Sequence, residues 1–218
     1  MGKTAIIVGA TGLVGRVLTD QLIRHKDFSQ LHVLVRKEIN FGDSEKLNIH
    51  IVNFDDEKTY PIIPEADTVF CCLGTTIKKA GSQENFITVD LTYVYRIGKH
   101  FQGLGASHFI VISAVGANKD AKLFYNRVKG EMEEKIASLQ FPHTIIMRPA
   151  MLGGKRNEFR FGEWIGSCIL KAIQWLFMGK MRRYKIISAE KVANAMLCHA
   201  LENKSQLLIL ESEKIQEY

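Results

Sequence analysis

Short apolar runs alternate with longer stretches in which apolar residues return every three or four positions. Thr4-Ala5-Ile6-Ile7-Val8 is rich in β-branched residues and free of charge, which reads as a buried strand. Leu13, Val14, Val17, Leu18, Leu22 and Ile23 follow at helical spacing. Further strands are expected over 31–35, 48–52 (where polar and apolar residues alternate), 67–72, 109–113, 143–147 and 207–210. Helical patterns fill the intervals at 85–101, 120–139 and 190–201, the last opening at the N-cap region Ser188-Ala189-Glu190. Strands alternating with helices predict a parallel sheet covered on both faces. No low-complexity linker and no internal repeat interrupts the pattern. The expected fold is α/β: one Rossmann-type, doubly wound parallel-sheet domain spanning residues 1–218, with a small C-terminal substrate-side extension.

The first strand passes into the first helix through Gly9-Ala10-Thr11-Gly12-Leu13-Val14-Gly15. A side chain at Gly9 or Gly12 would hold a diphosphate away from the backbone N–H groups, and one at Gly15 would push the helix off the strand. With those side chains absent, the N–H groups around Thr11, Gly12, Leu13 and Val14 and the helix dipole form an anion site. Glycine spacing alone is weak; its place between a strand and a helix points to a dinucleotide. The end of the second strand then bears on which one. An acidic residue there would hold both ribose hydroxyls of NAD, but this chain has Arg36 and Lys37. A guanidinium takes the 2′-phosphate of NADP in bidentate fashion and stacks on adenine, so NADP(H) is the expected cofactor. Asp55, after the third strand, is a candidate for the adenine edge.

Composition narrows the classes. The chain has 218 residues, 46% of them hydrophobic and 24% charged, as expected of an ordinary globular protein. A net charge of +6 helps attract a phosphorylated ligand but is no dense basic stripe, which argues against nucleic acid as a partner. Four cysteines and seven histidines show no metal-ligand spacing, and reduced thiols in a cytoplasmic protein are the expectation. No signal peptide is read at the N-terminus and no stretch reads as a transmembrane span.

Candidate chemistry lies downstream. Ser113 closes the fifth strand, and a doubly wound sheet places its ligand at strand C-termini. Tyr125 and Lys129, four apart in the next helical stretch, share a face. A phenol of ordinary pKa near ~10 is a poor acid at neutral pH, and a nearby ammonium makes its proton easier to exchange. Ser113 is therefore expected to hold a carbonyl oxygen, Tyr125 to give it a proton, and Lys129 to tune Tyr125 and hold the nicotinamide ribose.

These motifs resemble the short-chain dehydrogenase/reductase superfamily in its extended or atypical branch. More narrowly, the chain is similar to the Tat-interacting-protein type of oxidoreductase. The likeness also rests on Cys71-Cys72-Leu73-Gly74-Thr75-Thr76, Lys79-Ala80-Gly81, Val89-Asp90, Tyr93-Val94, Gly116-Ala117 with Lys119, Val128-Lys129-Gly130-Glu131, Arg148-Pro149 and Gly162-Glu163-Trp164. It implies NADPH binding and a Ser-Tyr-Lys active site. It also places Leu73, Gly74, Thr75 and Thr76 beside the cofactor and passes Arg148, Pro149 and Met151 along the nicotinamide. Many extended members carry Asn where this chain has Asp90.

Between residues 158 and 185, Ile165, Cys168, Ile169, Ala172, Ile173 and Leu176 share a helical face, followed by the basic cluster Lys180-Met181-Arg182-Arg183-Tyr184-Lys185. The helix over 164–178 is expected to roof the substrate pocket as part of a lid at about 150–185; a homodimer face and an acidic membrane surface stay open. The expected activity is reduction of a small carbonyl compound. The alternative is an NADPH-binding, redox-sensing regulator with a protein partner and little turnover. A sugar-nucleotide epimerase ranks last, because the short C-terminal part leaves little room for a nucleotide-sugar lobe.

Overall fold

The computed structural model describes residues 2–64, 66–153, 186–202 and 206–218. The strands of its main sheet are β1 (Lys3–Val8), β2 (Phe28–Val35), β3 (Leu47–Ile51), β4 (Thr68–Cys71), β5 (His108–Ile112), β6 (His143–Arg148) and, late in the chain, β9 (Leu207–Glu211). They form one seven-stranded sheet in the order β3-β2-β1-β4-β5-β6-β9, every neighbouring pair parallel. A separate parallel pair, β7 (Leu152–Gly153) and β8 (Ile187–Ser188), joins the residues flanking 154–185. The lid expected at 150–185, with its helix over 164–178, lies outside the described residues from 154 onward.

Alternation within the strands builds two cores. Ala5 and Ile7 of β1 face one side with Val33, Phe70, Ile110, Ile145 and Met147, under α1 (Leu13–Arg24) and α6 (Ala189–His199). Ile6 and Val8 face the other with Val69, Cys71, Phe109, Val111 and Ile146. Phe101 of α4 (Tyr93–Gly103) and Val128, Met132 and Ile136 of α5 (Phe124–Ala137) cover that side. Central parallel strands buried on both faces need such continuous apolar runs, which is why they stand out in the sequence. The chain is thus a doubly wound α/β, Rossmann-like fold. Strand order reverses beside β1, which pairs with both β2 and β4, and the crevice above the C-terminal ends of these strands is where such sheets take ligands.

Three expectations need correction. Strand β2 begins at Phe28, not 31, because Phe28 is itself fully buried. The helix expected over 120–139 starts at Phe124: the Asn118 side chain accepts from the Asp120 N–H at 2.8 Å and turns the chain there. The helix expected at 85–101 is three pieces, α3 (Gln83–Ile87), a π-helical segment Thr88–Thr92 and α4. Two short helices, α2 (Ile77–Ala80) and α7 (Ser212–Ile215), follow β4 and β9.

Candidate nucleotide and active site

The glycine turn is as tight as its sequence suggests. Gly9 has φ +82°, and a Cβ there would lie 2.5 Å from the Cys72 carbonyl carbon on the neighbouring strand end. A Cβ on Gly15 would lie 2.2 Å from the Gly9 carbonyl oxygen, so α1 packs on its own turn only without a side chain. The Gly12 N–H donates to that same oxygen at 2.9 Å. Helix α1 starts with no side-chain cap and no acid in its first turn. Its N-terminal N–H groups at Leu13, Val14 and Gly15 therefore face the crevice without a local anion, with exposed Thr11 beside them. These residues fit a dinucleotide diphosphate.

Arg36 and Lys37 are exposed just past β2. The Tyr93 hydroxyl donates to Asp55 Oδ1 at 2.8 Å. Burial and Asp55 push that phenol above its ordinary value, while Arg36 and Arg96 pull the other way. Arg36 is thus close enough to Tyr93 for its charge to act on that phenol. Arg96 holds the Asp55 loop through the Phe54 and Asp55 carbonyls at 3.4 and 3.3 Å. Nothing local in the sequence pairs Tyr93 with Asp55, which lies 38 positions away.

Across the crevice, Tyr125, Lys129 and Glu133 follow one another at four-residue spacing along α5, one face of the helix. Tyr125 is half-buried, its ring 5.6 Å from that of Phe86. Lys129 Nζ lies 2.8 Å from Asp90 Oδ1, with the two side chains only 4% and 1% exposed. It also donates to the Ile112 carbonyl at 3.4 Å. Burial works against the ammonium, but Asp90, Tyr125 and the Cys71 thiol outweigh it and raise Lys129 above the ordinary lysine value. Taking one partner from such a buried pair costs about 3–5 kcal/mol, because the other charge is left alone. Asp90 Oδ2 accepts the Thr75 N–H at 2.8 Å, tying the half-buried loop after β4, with Leu73, exposed Gly74 and Thr76, to the lysine. Cys71 itself stays a thiol, pushed up to about 12 by burial.

Ser113 is buried and donates its hydroxyl proton to Glu133 Oε1 at 2.5 Å. The carboxylate accepts from Arg148 Nε at 3.0 Å and Nη2 at 2.5 Å, and Arg148 Nη1 reaches Glu211 at 2.8 Å. Glu133 and then Glu211 hold the guanidinium well above its usual range. The structure thus sets Lys129 and Glu133 of α5 against the end of β5, at Ile112 and Ser113, with Tyr125 one turn before Lys129; Ser113 carries a partner that sequence reasoning missed. The signal was available: Glu133 repeats the Tyr-Lys interval. Arg148 turns its side chain into this network, while Pro149 is buried and Met151 half-buried beyond β6. Helix α5 comes this close because of Gly130, where a Cβ would lie 2.2 Å from Lys119 N in the loop after β5.

Comparison with known proteins agrees with this geometry. The NAD(P)H-binding family matches residues 9–163. Protein HTATIP2 of Rattus norvegicus is 35% identical over 166 residues, 75% of this chain and 68% of that protein. The mitochondrial protein FMP52 of Debaryomyces hansenii is 35% identical over 211 residues, 93% of this chain and 90% of that one. Among solved structures, MoeE5 in complex with UDP-glucose and NAD superposes with TM-score 0.70 at 13% identity, over 95% of this chain and 75% of that one. A short chain dehydrogenase family protein from Francisella tularensis gives 0.65 at 11% identity, over 98% and 99%. At such identities the structures speak for the fold alone, whereas the glycine turn and the sequence relatives carry the family. The chain belongs to the NAD(P)H-binding, atypical branch of the short-chain dehydrogenase/reductase family.

Proposed function

We propose that this protein is an NADPH-dependent oxidoreductase that reduces a small carbonyl compound. One observation carries the reading: Tyr125 and Lys129 share a face of α5, and the lysine is buried, charged and tied through Asp90 to the loop that follows β4. In this reading Gly9, Gly12 and Gly15 leave room for the diphosphate and Arg36 pairs with the 2′-phosphate. The bound cofactor supplies a hydride to the carbonyl carbon. As the C–O π pair moves onto oxygen, the Tyr125 hydroxyl donates its proton there, giving the alcohol, and the phenolate is reprotonated from solvent. Lys129 holds the nicotinamide ribose with the donor capacity that Asp90 and Ile112 leave over. Ser113 reaches the carbonyl oxygen by turning its proton from Glu133, which makes it the weaker of the two oxygen contacts. A cytoplasmic location belongs to the same proposal, set against the mitochondrial names of the fungal relatives, and cell fractionation decides it.

The test is NADPH consumption against a panel of aldehydes, ketones and quinones, with Tyr125→Phe alongside. The variant should bind NADPH as tightly as the wild type while turnover falls roughly 10²–10⁴-fold, the range of general acid catalysis. Unchanged turnover removes Tyr125 from the chemistry. Tight NADPH binding with no turnover on any compound replaces the reductase reading with that of a cofactor-binding regulator.

A further inference from the structure

Two donors converge on the Asp90 carboxylate, and they use different oxygens: Lys129 Nζ at Oδ1 and the Thr75 N–H at Oδ2, each at 2.8 Å. An amide in this place has a single oxygen, so its NH2 group would face one donor with another. The geometry selects an acid over an amide. That acid is placed by the π-helical segment Thr88–Thr92, whose wider turn interrupts the helix around residue 90.

The charges around the lysine can be counted. From β4 comes the Cys71 thiol, neutral because burial pushes it up to about 12. From α5 come Tyr125, one turn before Lys129, and Glu133, one turn after it, whose carboxylate is already matched by Arg148. The Phe86 ring of α3 adds an apolar wall against Tyr125. From the π segment comes Asp90, in contact and almost fully buried, so that solvent ions screen the pair little. Among the described residues, Asp90 is the charge that answers Lys129.

We propose that Asp90 cancels most of the field of Lys129 at Tyr125, so that Tyr125 serves as a proton donor to a carbonyl across the neutral and moderately alkaline range. This rests on the reading of Tyr125 as the acid. Asp90 is then a positioning residue acting through Lys129. It holds the ammonium toward the ribose and withholds its charge from the phenol.

The test is an ultraviolet titration of tyrosinate in the intact protein. Wild type, Asp90→Asn, Tyr125→Phe and the variant with both changes are titrated side by side. Subtracting the spectra that differ only at position 125 isolates one phenol of the six tyrosines. Freeing Lys129 in Asp90→Asn should bring the onset of Tyr125 phenolate down by about 1–3 pH units, the usual effect of an uncompensated opposite charge. The alkaline limb of carbonyl reduction should move down with it. An onset that stays in place overturns the proposal. Should Asp90→Asn fail to fold, the double variant Asp90→Asn/Lys129→Met removes both charges. It should titrate close to wild type, and a rise of about a unit or more overturns the cancellation. A titration shift without turnover on any carbonyl leaves the cancellation standing and removes the reductase reading. Turnover without the shift does the reverse.

Discussion

A guanidinium at position 36 is a small local choice with a measurable result. Arg36 is exposed just past the end of β2, close enough to Tyr93 for its charge to act on that phenol, where an acidic residue would instead hold ribose hydroxyls. A charge-assisted pair with a phosphate contributes about 1.5–3 kcal/mol. Binding should therefore favour NADPH over NADH by roughly 10–100-fold, and Arg36→Ala should erase most of the difference. Equal affinities in the wild type, measured by fluorescence titration, would remove the phosphate role. At this scale the sequence is most legible where local geometry forces the residue. Gly9 and Gly15 are readable because a side chain at either would strike backbone. Tyr125 and Lys129 are readable because a four-residue interval puts two side chains together on any helix. Glu133 has the same interval, yet acids on helix faces are ordinarily solvated; its burial depends on Arg148, which a different strand supplies.

Elements are legible where periodicity is driven by burial on both faces, and less so where side chains bend the backbone. Between 85 and 101 the apolar spacing is helical throughout, yet Thr88 donates its hydroxyl back to Glu84 at 2.9 Å and a π turn follows it. Such back-bonding bends helices, and hydrophobic periodicity does not register it. At the sheet margin, β2 and β3 carry a stacked histidine pair, His32 and His50, with Nδ1 and Nε2 only 2.9 Å apart. One of these nitrogens must be unprotonated to accept. Burial lowers both rings below the ordinary histidine value, and the charge of His50 adds to the effect at His32. On acidification the unfolded chain then takes up protons first. The stability this contributes is complete above about pH 6.5 and is lost as pH falls from there through the folded values. The melting temperature should fall between pH 7 and pH 5, and His50→Asn should flatten that fall. Identical slopes for the two proteins would acquit the pair.

For the molecule as a whole, cofactor binding and folding are linked, because the crevice joins β1, β4 and both helix layers and exists only when the sheet is assembled. At free NADPH of about 100 times its Kd, binding adds about 2.7 kcal/mol. A chain of this size should then melt roughly 5–10 °C higher, and the shift should grow with the logarithm of cofactor concentration. A shift indifferent to concentration would mean that NADPH does not bind the native state. The alternating strands and helices, the glycine turn, and the spacing of Tyr125 and Lys129 were all legible in the amino-acid order. Each depends on forces that act within a few residues: backbone sterics, helical periodicity and burial of apolar runs. Other features needed the assembled sheet: Lys129 meets Asp90, Ser113 donates a hydrogen bond to Glu133, and Tyr93 donates one to Asp55. Those partners come from different elements. An ion pair or hydrogen bond leaves no periodic trace in either segment until the fold brings the two together.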